Sequence, residues 1–115
     1  MSGAGLFGRL MGSVSGPAID HSEMTKAVAA GNCCIVDVRE PHEYAAGHIP
    51  GAINHPLSRF EPQALPKDSP VILVCQAGVR SAKALQQALL AGHRDIRHYP
   101  PGTAGWKANG GDIVT

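Results

Sequence analysis

Two short apolar runs, each followed by a segment with helical spacing, constrain the fold of this chain most strongly. Residues 34–38 (CIVDV) and residues 71–74 (VILV) have the length and the β-branched content of buried strands. Strands that alternate with helices need crossover connections, and such crossovers place the strands parallel in one sheet. The sequence therefore predicts an α/β fold with a mostly parallel, twisted sheet that helices cover on both faces.

The segments around these runs carry the start and stop signals of helices. Asp20, with Glu23 three residues later, is typical of a capping box, and Gly31 then ends a first helix. Pro41 fits the first turn of a second helix. The longest helix is predicted to begin near residues 79–80 and to end at Gly92. The remaining predictions are a short strand near residues 52–54, a loop or short helix around residues 62–66, a strand at 96–99 and a last helical turn with Trp106.

Composition and charge exclude several function classes. The 115 residues suit one domain, and a hydrophobic content of 43% is that of a globular protein. The formal net charge is +1 with scattered lysines and arginines, so no surface for nucleic acid is predicted. Three cysteines, two of them adjacent at positions 33 and 34, suit a reducing compartment better than a disulfide framework. No apolar run approaches the ~18 residues of a membrane span, and we expect a soluble, cytoplasmic protein.

The first 17 residues differ in composition from the rest of the chain. They are rich in glycine and serine, and Gly8 and Arg9 interrupt their apolar residues, so they do not form the apolar core of a signal peptide. We expect a flexible tail over residues 1–17, with a short amphipathic contact segment as the alternative. A single folded domain is predicted over residues 18–115.

The stretch CQAGVRS, residues 75–81, places a thiol at the carboxyl end of the second predicted strand. Ligands of parallel α/β sheets bind at this edge, where backbone N–H groups and the helix dipole favour an anion and promote thiolate formation. Gly78 lets the loop turn its amides inward, Arg80 adds positive charge, and Ser81 adds a hydroxyl that can donate to sulfur. The stretch indicates a nucleophilic Cys75 in a cradle for an anionic substrate. A buried, inert cysteine is the alternative; a phosphate-binding glycine loop lacks its usual motifs.

Two motifs together, CQAGVRS and VDVREPHEYAAGHIPGAIN at residues 36–54, resemble the single-domain rhodanese, or thiosulfate sulfurtransferase-like, family. The likeness extends from about residue 19 to Trp106. It implies a five-stranded, three-layer α/β/α rhodanese-like domain without a metal or organic cofactor. In that family's reaction Cys75 would take sulfane sulfur from thiosulfate or a persulfide donor, become a persulfide, and pass the sulfur to cyanide or a thiol, including a protein thiol. The resemblance also implies that the loop binds the substrate through Gln76, Ala77, Gly78, Val79, Arg80 and Ser81.

Asp37 and Arg39 are candidates for a supporting role, because they end the first predicted strand on the same side of the sheet as Cys75. They are expected to orient the loop or bind substrate, and a purely structural salt bridge or helix cap is the alternative. Glu43 is expected to pair with Arg39 at a separation of four residues. The resemblance implies a turn-stabilising hydrogen bond for His48. The other histidines are scattered and give little support to a metal site.

The loop sequence also bears on the choice of substrate. Four residues separate Cys75 from Arg80, one fewer than in the related dual-specificity phosphatases, and the shorter loop suits sulfur better than phosphate. Gln76 and Ala77 are neutral where family members that use thiosulfate well often carry basic residues, which favours a persulfide on a small thiol or a partner protein as donor. Two other functions stay open: a non-catalytic binding or regulatory module, and a cysteine-based phosphatase or arsenate reductase.

Overall fold

The computed structural model describes residues 16–115 of the chain. Most of the tail predicted over residues 1–17 therefore lies outside the described residues. The last residue of that segment, Pro17, accepts a backbone hydrogen bond from His98 at 3.1 Å. The division into a tail and a domain over residues 18–115 stays a prediction.

Helices and strands alternate along the described chain as the apolar pattern predicts. Their bounds are α1 (His21–Ala30), β1 (Cys34–Asp37), α2 (Pro41–Ala46), β2 (Ile53–Asn54), β3 (Val71–Val74), α3 (Val79–Leu90), β4 (Ile96–His98) and α4 (Gly102–Ala108). Two short 3₁₀ turns, Leu57–Arg59 and Pro62–Ala64, occupy the connection between β2 and β3, where a loop or one short helix is predicted. Prolines in this connection interrupt longer helical structure.

The sheet is parallel, with the strand order β2-β1-β3-β4. The predicted α/β class is therefore confirmed, but the described residues form four strands where the resemblance implies five. Where a fifth strand would lie beside β4, the described chain forms a single parallel bridge, between Ala18 and His98. Ile19 donates to the His98 carbonyl at 2.9 Å, but Pro17 has no N–H with which to extend the ladder.

The predicted capping residues bound α1, whereas α3 ends at Leu90, two residues before the predicted Gly92. The Asp20 carboxylate accepts the Glu23 amide at 2.8 Å, and Gly31 closes α1 with φ of 68°. The predicted capping box is incomplete, because the Glu23 carboxylate pairs instead with Arg97 at 3.2 Å. A full capping box forms at the start of α2, where Glu40 and Glu43 exchange side-chain and backbone hydrogen bonds.

Alternation along β3 divides the core into two layers and decides where Cys75 lies. Val71, Leu73 and Cys75 face one cluster, which α3 covers, whereas Ile72 and Val74 face the cluster beneath α1 and α4. These strand residues are almost completely buried, as expected for a parallel sheet covered on both faces. The Cys75 side chain thus lies on the same face of the sheet as Val71 and Leu73, the face that α3 covers.

None of the helices in residues 16–115 has both the length and the apolar character needed to cross a membrane.

Candidate active site

The loop between β3 and α3 turns sharply enough to bring its own amides back over Cys75. Gly78 makes this turn with φ of 97°, in the left-handed region that favours glycine. A Cβ atom at this position would lie 2.6 Å from the Pro100 carbonyl oxygen, too close for any side chain without a shift of the backbone. Both the backbone angle and the neighbouring chain therefore require glycine here.

The Cys75 sulfur lies within hydrogen-bond distance of two amides and one hydroxyl oxygen from this loop and the first turn of α3, and the thiol donates to that oxygen. The amides of Gly78 and Ser81 point at Sγ at 3.1 Å and 3.2 Å, and the Ser81 hydroxyl oxygen lies 3.5 Å away. Although Cys75 is only 1% exposed, its sulfur thus faces polar groups as well as the apolar core. Of the predicted loop residues, Gly78 and Ser81 contact the sulfur directly, whereas Val79 is 68% exposed and points away from the core.

The surroundings of Cys75 favour its thiolate form. Burial alone raises the pKa of the thiol, but hydrogen bonds from the Ser81 hydroxyl and from the amides of Ser81, Ala77 and Gly78 lower it. The hydrogen bonds outweigh the burial, so the pKa of Cys75 lies below its ordinary value. A larger share of this cysteine is therefore ionised near neutral pH than of an ordinary thiol.

The Arg80 guanidinium is held by Glu43. Two hydrogen bonds of 2.6 Å and 3.0 Å form a bidentate ion pair between α3 and α2. The expected Arg39–Glu43 pair is therefore wrong. Glu40 is the N-cap of α2, so Arg39 lies outside the helix and the four-residue rule does not apply to it.

The Arg80 ion pair predicts a pH-dependent contribution to stability. Hydrogen bonds from Arg80 lower the pKa of Glu43 from 4.5 to about 2. A lowered carboxyl pKa stabilises the fold above pH 4.5, and this contribution disappears as the pH falls to about 2. We expect Glu43→Gln to lower the free energy of unfolding by about 1 kcal/mol at pH 7, since solvent screens the partly exposed pair.

Denaturant titrations of the wild type and Glu43→Gln at a series of pH values between 7 and about 2 measure this effect. Glu61→Gln, a change at an exposed carboxylate outside the ion pairs described, serves as a control for loss of one negative charge. A difference between wild type and Glu43→Gln that stays constant over this pH range would contradict the prediction.

Asp37 and Arg39 form a buried ion pair next to the loop. The Arg39 side chain donates to both carboxylate oxygens of Asp37, the shortest bond being 2.7 Å, and also to the Gly47 carbonyl at 2.7 Å. Its remaining terminal nitrogen donates to the Gln76 side-chain oxygen at 3.3 Å. This pair therefore ties the ends of β1 and α2 to the loop residue that follows Cys75.

The N-terminus of α4 holds the other side of the loop through a contact that the sequence motifs do not predict. The Thr103 amide and hydroxyl donate to the Cys75 carbonyl at 2.8 Å and 3.3 Å, and the Ala104 amide donates to the Gln76 carbonyl at 3.1 Å. These bonds join residues 28 positions apart, which no local pattern connects. The motif PPGTAGW could have pointed to them only through its resemblance to the family.

His48 makes the hydrogen bond that the resemblance implies. Its Nδ1 lies 2.8 Å from the Tyr44 carbonyl, and its ring stacks on the Tyr44 ring with 3.7 Å between the centroids. This contact fixes the turn after α2, from which the Gly47 carbonyl reaches Arg39.

A cleft of about 190 Å³ opens beside the loop. Its lining includes Arg39, Glu43, Gln76, Thr103 and Lys107. Arg39 and Glu43 are each paired with an opposite charge, whereas Lys107 is exposed at the end of α4. The cleft therefore has room for a small molecule next to the residue that follows Cys75.

Fold and site together define a parallel α/β domain whose strand-end cysteine is enclosed by the amides of the following loop. Residues 20–109 match the family model described as Rhodanese-like domain, and the chain belongs to this family. The family predicted from the two sequence motifs is thereby confirmed.

Named relatives of this chain include sulfurtransferases at modest identity. An uncharacterized protein of Synechocystis sp. is 44% identical over 78 residues, which cover 66% of this chain and 44% of that protein. The thiosulfate:glutathione sulfurtransferase of Homo sapiens is 34% identical over 106 residues, covering 78% of this chain and 92% of the relative. The structure of the human single-domain sulfurtransferase TSTD1 matches with a TM-score of 0.71 and 30% identity, over 80% of this chain and 96% of that one. This chain thus spans less than half of the Synechocystis protein.

Proposed function

We propose that this protein is a sulfurtransferase that moves sulfane sulfur through a persulfide on Cys75. The observation that carries the proposal is the pair of amides, from Gly78 and Ser81, aimed at the Cys75 sulfur at 3.1 Å and 3.2 Å. Donors fixed in this way favour a negative charge on sulfur, both before the reaction and after a second sulfur has been added. The sulfurtransferases among the relatives support the same reaction type.

The reaction proceeds in two displacement steps. In the first, the Cys75 thiolate attacks the outer sulfur of thiosulfate, an S–S bond forms, and sulfite leaves with the electron pair of the bond that breaks. In the second, a thiolate or cyanide attacks the terminal sulfur of the persulfide and releases the Cys75 thiolate. Charge and atoms balance in each step, and neither step requires a separate base when the attacking groups are ionised.

The amides at the start of α3 are the proposed site for the transferred sulfur. The first N–H groups of an α-helix have no acceptor within the helix, and here the first such bond runs from Ala82 to the Gly78 carbonyl. The amides of Val79 and Arg80 precede that bond in the chain. We assign them, with the Gln76 and Ala77 backbone, to the cradle of the terminal sulfur.

A thiol is the proposed acceptor, with a persulfide on a small thiol as donor beside thiosulfate. The loop side chains next to Cys75 are the neutral Gln76 and Ala77, so a dianion gains little from them. The cleft beside the loop has Lys107 at its edge, a suitable partner for a carboxylate of a thiol such as glutathione. The name of the human relative, thiosulfate:glutathione sulfurtransferase, also includes glutathione.

Intact-mass measurement tests this proposal directly. We expect the reduced full-length protein, treated with thiosulfate or glutathione persulfide and then freed of excess donor, to gain the mass of one sulfur atom. Peptide mapping should place the added sulfur on Cys75, and Cys33→Ala should gain it equally. A reductant should remove it. If neither donor adds sulfur to Cys75, the proposal fails and a binding or regulatory module becomes the better interpretation.

A further inference from the structure

A buried histidine lies behind the Cys75 site, on the strand next to β3. His98 is the last residue of β4 and is 2% exposed. Its Nδ1 lies 2.9 Å from the Ser81 hydroxyl oxygen, which itself lies 3.5 Å from the Cys75 sulfur. Three side chains from three elements thus form a continuous polar chain that ends at the sulfur.

The unpaired side of the ring indicates which nitrogen carries the proton. Among the described residues, Nε2 of His98 is buried without a hydrogen-bond partner. A buried N–H without an acceptor is more costly and rarer than a buried acceptor without a donor, so the proton belongs on Nδ1. Burial also lowers the pKa of His98, which favours the neutral ring. The neutral ring with the proton on Nδ1 donates to the Ser81 oxygen.

This donation decides where the Ser81 hydroxyl can point. In the thiol form, the Cys75 sulfur donates to the Ser81 oxygen at 3.5 Å, and the Ser81 hydroxyl donates to the Gly78 carbonyl at 3.2 Å. An ionised sulfur cannot donate, so the hydroxyl proton, with its oxygen accepting from His98, then has two neighbouring acceptors, this carbonyl and the thiolate. A thiolate is the stronger acceptor because it carries a full charge. A hydrogen bond received by Ser81 also polarises its own hydroxyl and strengthens the bond that it donates.

We propose that His98 is a positioning residue that orients the Ser81 hydroxyl toward the sulfur of Cys75. His98 does not touch the substrate, and its effect passes entirely through Ser81. Its role in sulfur transfer rests on the proposed function, but its role in stabilising the thiolate does not. The two roles can therefore be tested separately.

Other groups near Cys75 also affect its ionisation and must stay unchanged in the test. Arg80 of α3 interacts electrostatically with Cys75 and is paired with Glu43 of α2. Asp37 and Arg39 at the end of β1 form their own ion pair. On the α4 side, Thr103 contacts the backbone of Cys75 and carries no charge. Substitutions at His98 alter none of these residues.

The test measures the rate of Cys75 alkylation by iodoacetamide as a function of pH. The rate is followed on the Cys75 peptide by mass spectrometry, because Cys33 and Cys34 are also free thiols. We expect His98→Leu to raise the midpoint of the profile by about one pH unit, the size of one lost hydrogen bond to a charged group. In a Ser81→Ala background, the same change at His98 should raise the midpoint no further.

Two polar variants separate the role of Nδ1 from simple filling of space. The amide of His98→Asn reaches the place of Nδ1 and should keep the midpoint near that of the wild type. The amide of His98→Gln extends toward the place of Nε2, and this variant should behave like His98→Leu. This pair also decides the question if His98→Leu fails to fold.

An unchanged midpoint in His98→Leu would overturn the inference, and His98→Gln takes its place if His98→Leu does not fold. Equal midpoints in the Asn and Gln variants would also overturn it. So would a midpoint that rises further when His98→Leu is added to Ser81→Ala. Alkylation needs no sulfur donor. A normal shift in a protein that takes up no sulfur would therefore refute the proposed function and leave the role of His98 intact.

Discussion

Replacing Cys75 with alanine is expected to abolish sulfur transfer from thiosulfate to glutathione or cyanide. The proposed cycle forms its covalent intermediate on this sulfur, and alanine offers no nucleophile in its place. Removal of the nucleophile from an enzyme that works through a covalent intermediate lowers turnover by orders of magnitude, and we expect a loss of at least about 10³-fold here. Steady-state assays of thiocyanate or glutathione persulfide formation measure the loss.

The fold should tolerate this substitution, so the loss of activity is interpretable. Alanine fits the space of cysteine, and the Thr103 bonds to position 75 involve only its backbone carbonyl. Cys33→Ala is the matched control, because Cys33 is partly exposed, packs against the core cluster on the other face of the sheet from Cys75, and donates to the Asn32 side chain at 3.5 Å. Comparable transfer by the Cys75→Ala variant and the wild type would overturn the assignment, as would a loss caused by Cys33→Ala.

Local patterns predicted the part of the site that a short stretch of chain builds by itself. An apolar run followed by a segment of helical spacing predicted β3 and α3, and Cys75 lies in the loop between them. Gly78 and Ser81 lie within six residues of that cysteine, so their amides reach the sulfur through the geometry of one turn. Sequence reasoning works here because strand alternation and helix initiation are both short-range effects.

The partners that come from distant segments could not be predicted in the same way. Arg80 pairs with a glutamate 37 residues earlier, and Ser81 meets His98 17 residues later. Both contacts depend on which strands become neighbours and on the register between them. The expected Arg39–Glu43 pair is wrong for a local reason, since helical spacing holds only within a helix and Arg39 lies before α2 begins.

Replacing Gly102 with alanine is expected to cause the second largest loss of activity and stability, because Gly102 packs against the backbone of the loop that carries Cys75. Gly102 begins α4 with φ of 69°, and a Cβ atom there would overlap the Gln76 carbonyl and lie 2.7 Å from the Cys75 carbonyl oxygen. The loop must move away or α4 must shift. Either movement disturbs the Thr103 and Ala104 bonds to the same two carbonyls.

The expected loss of stability combines two effects that a control can separate. A non-glycine residue at positive φ costs about 1 kcal/mol, and forcing an extra carbon into a packed site costs a further ~1–3 kcal/mol. Gly31 has nearly the same φ, 68°, but a Cβ atom there meets nothing within 4 Å. Gly31→Ala should therefore show the backbone effect alone and retain full sulfur transfer.

Urea titration and the steady-state assay, applied to both glycine variants, distinguish overlap with the loop from backbone strain. Gly102→Ala should be less stable than Gly31→Ala by at least ~1 kcal/mol. It should also lose most of its transfer activity under conditions where it is still folded, because the carbonyls it displaces belong to Cys75 and Gln76. Equal stabilities of Gly102→Ala and Gly31→Ala would mean that the loop moves at no cost in free energy. Full activity in Gly102→Ala would mean that sulfur transfer does not depend on the position of these carbonyls. Either result would contradict the view that contact with α4 holds the Cys75 loop in its active shape.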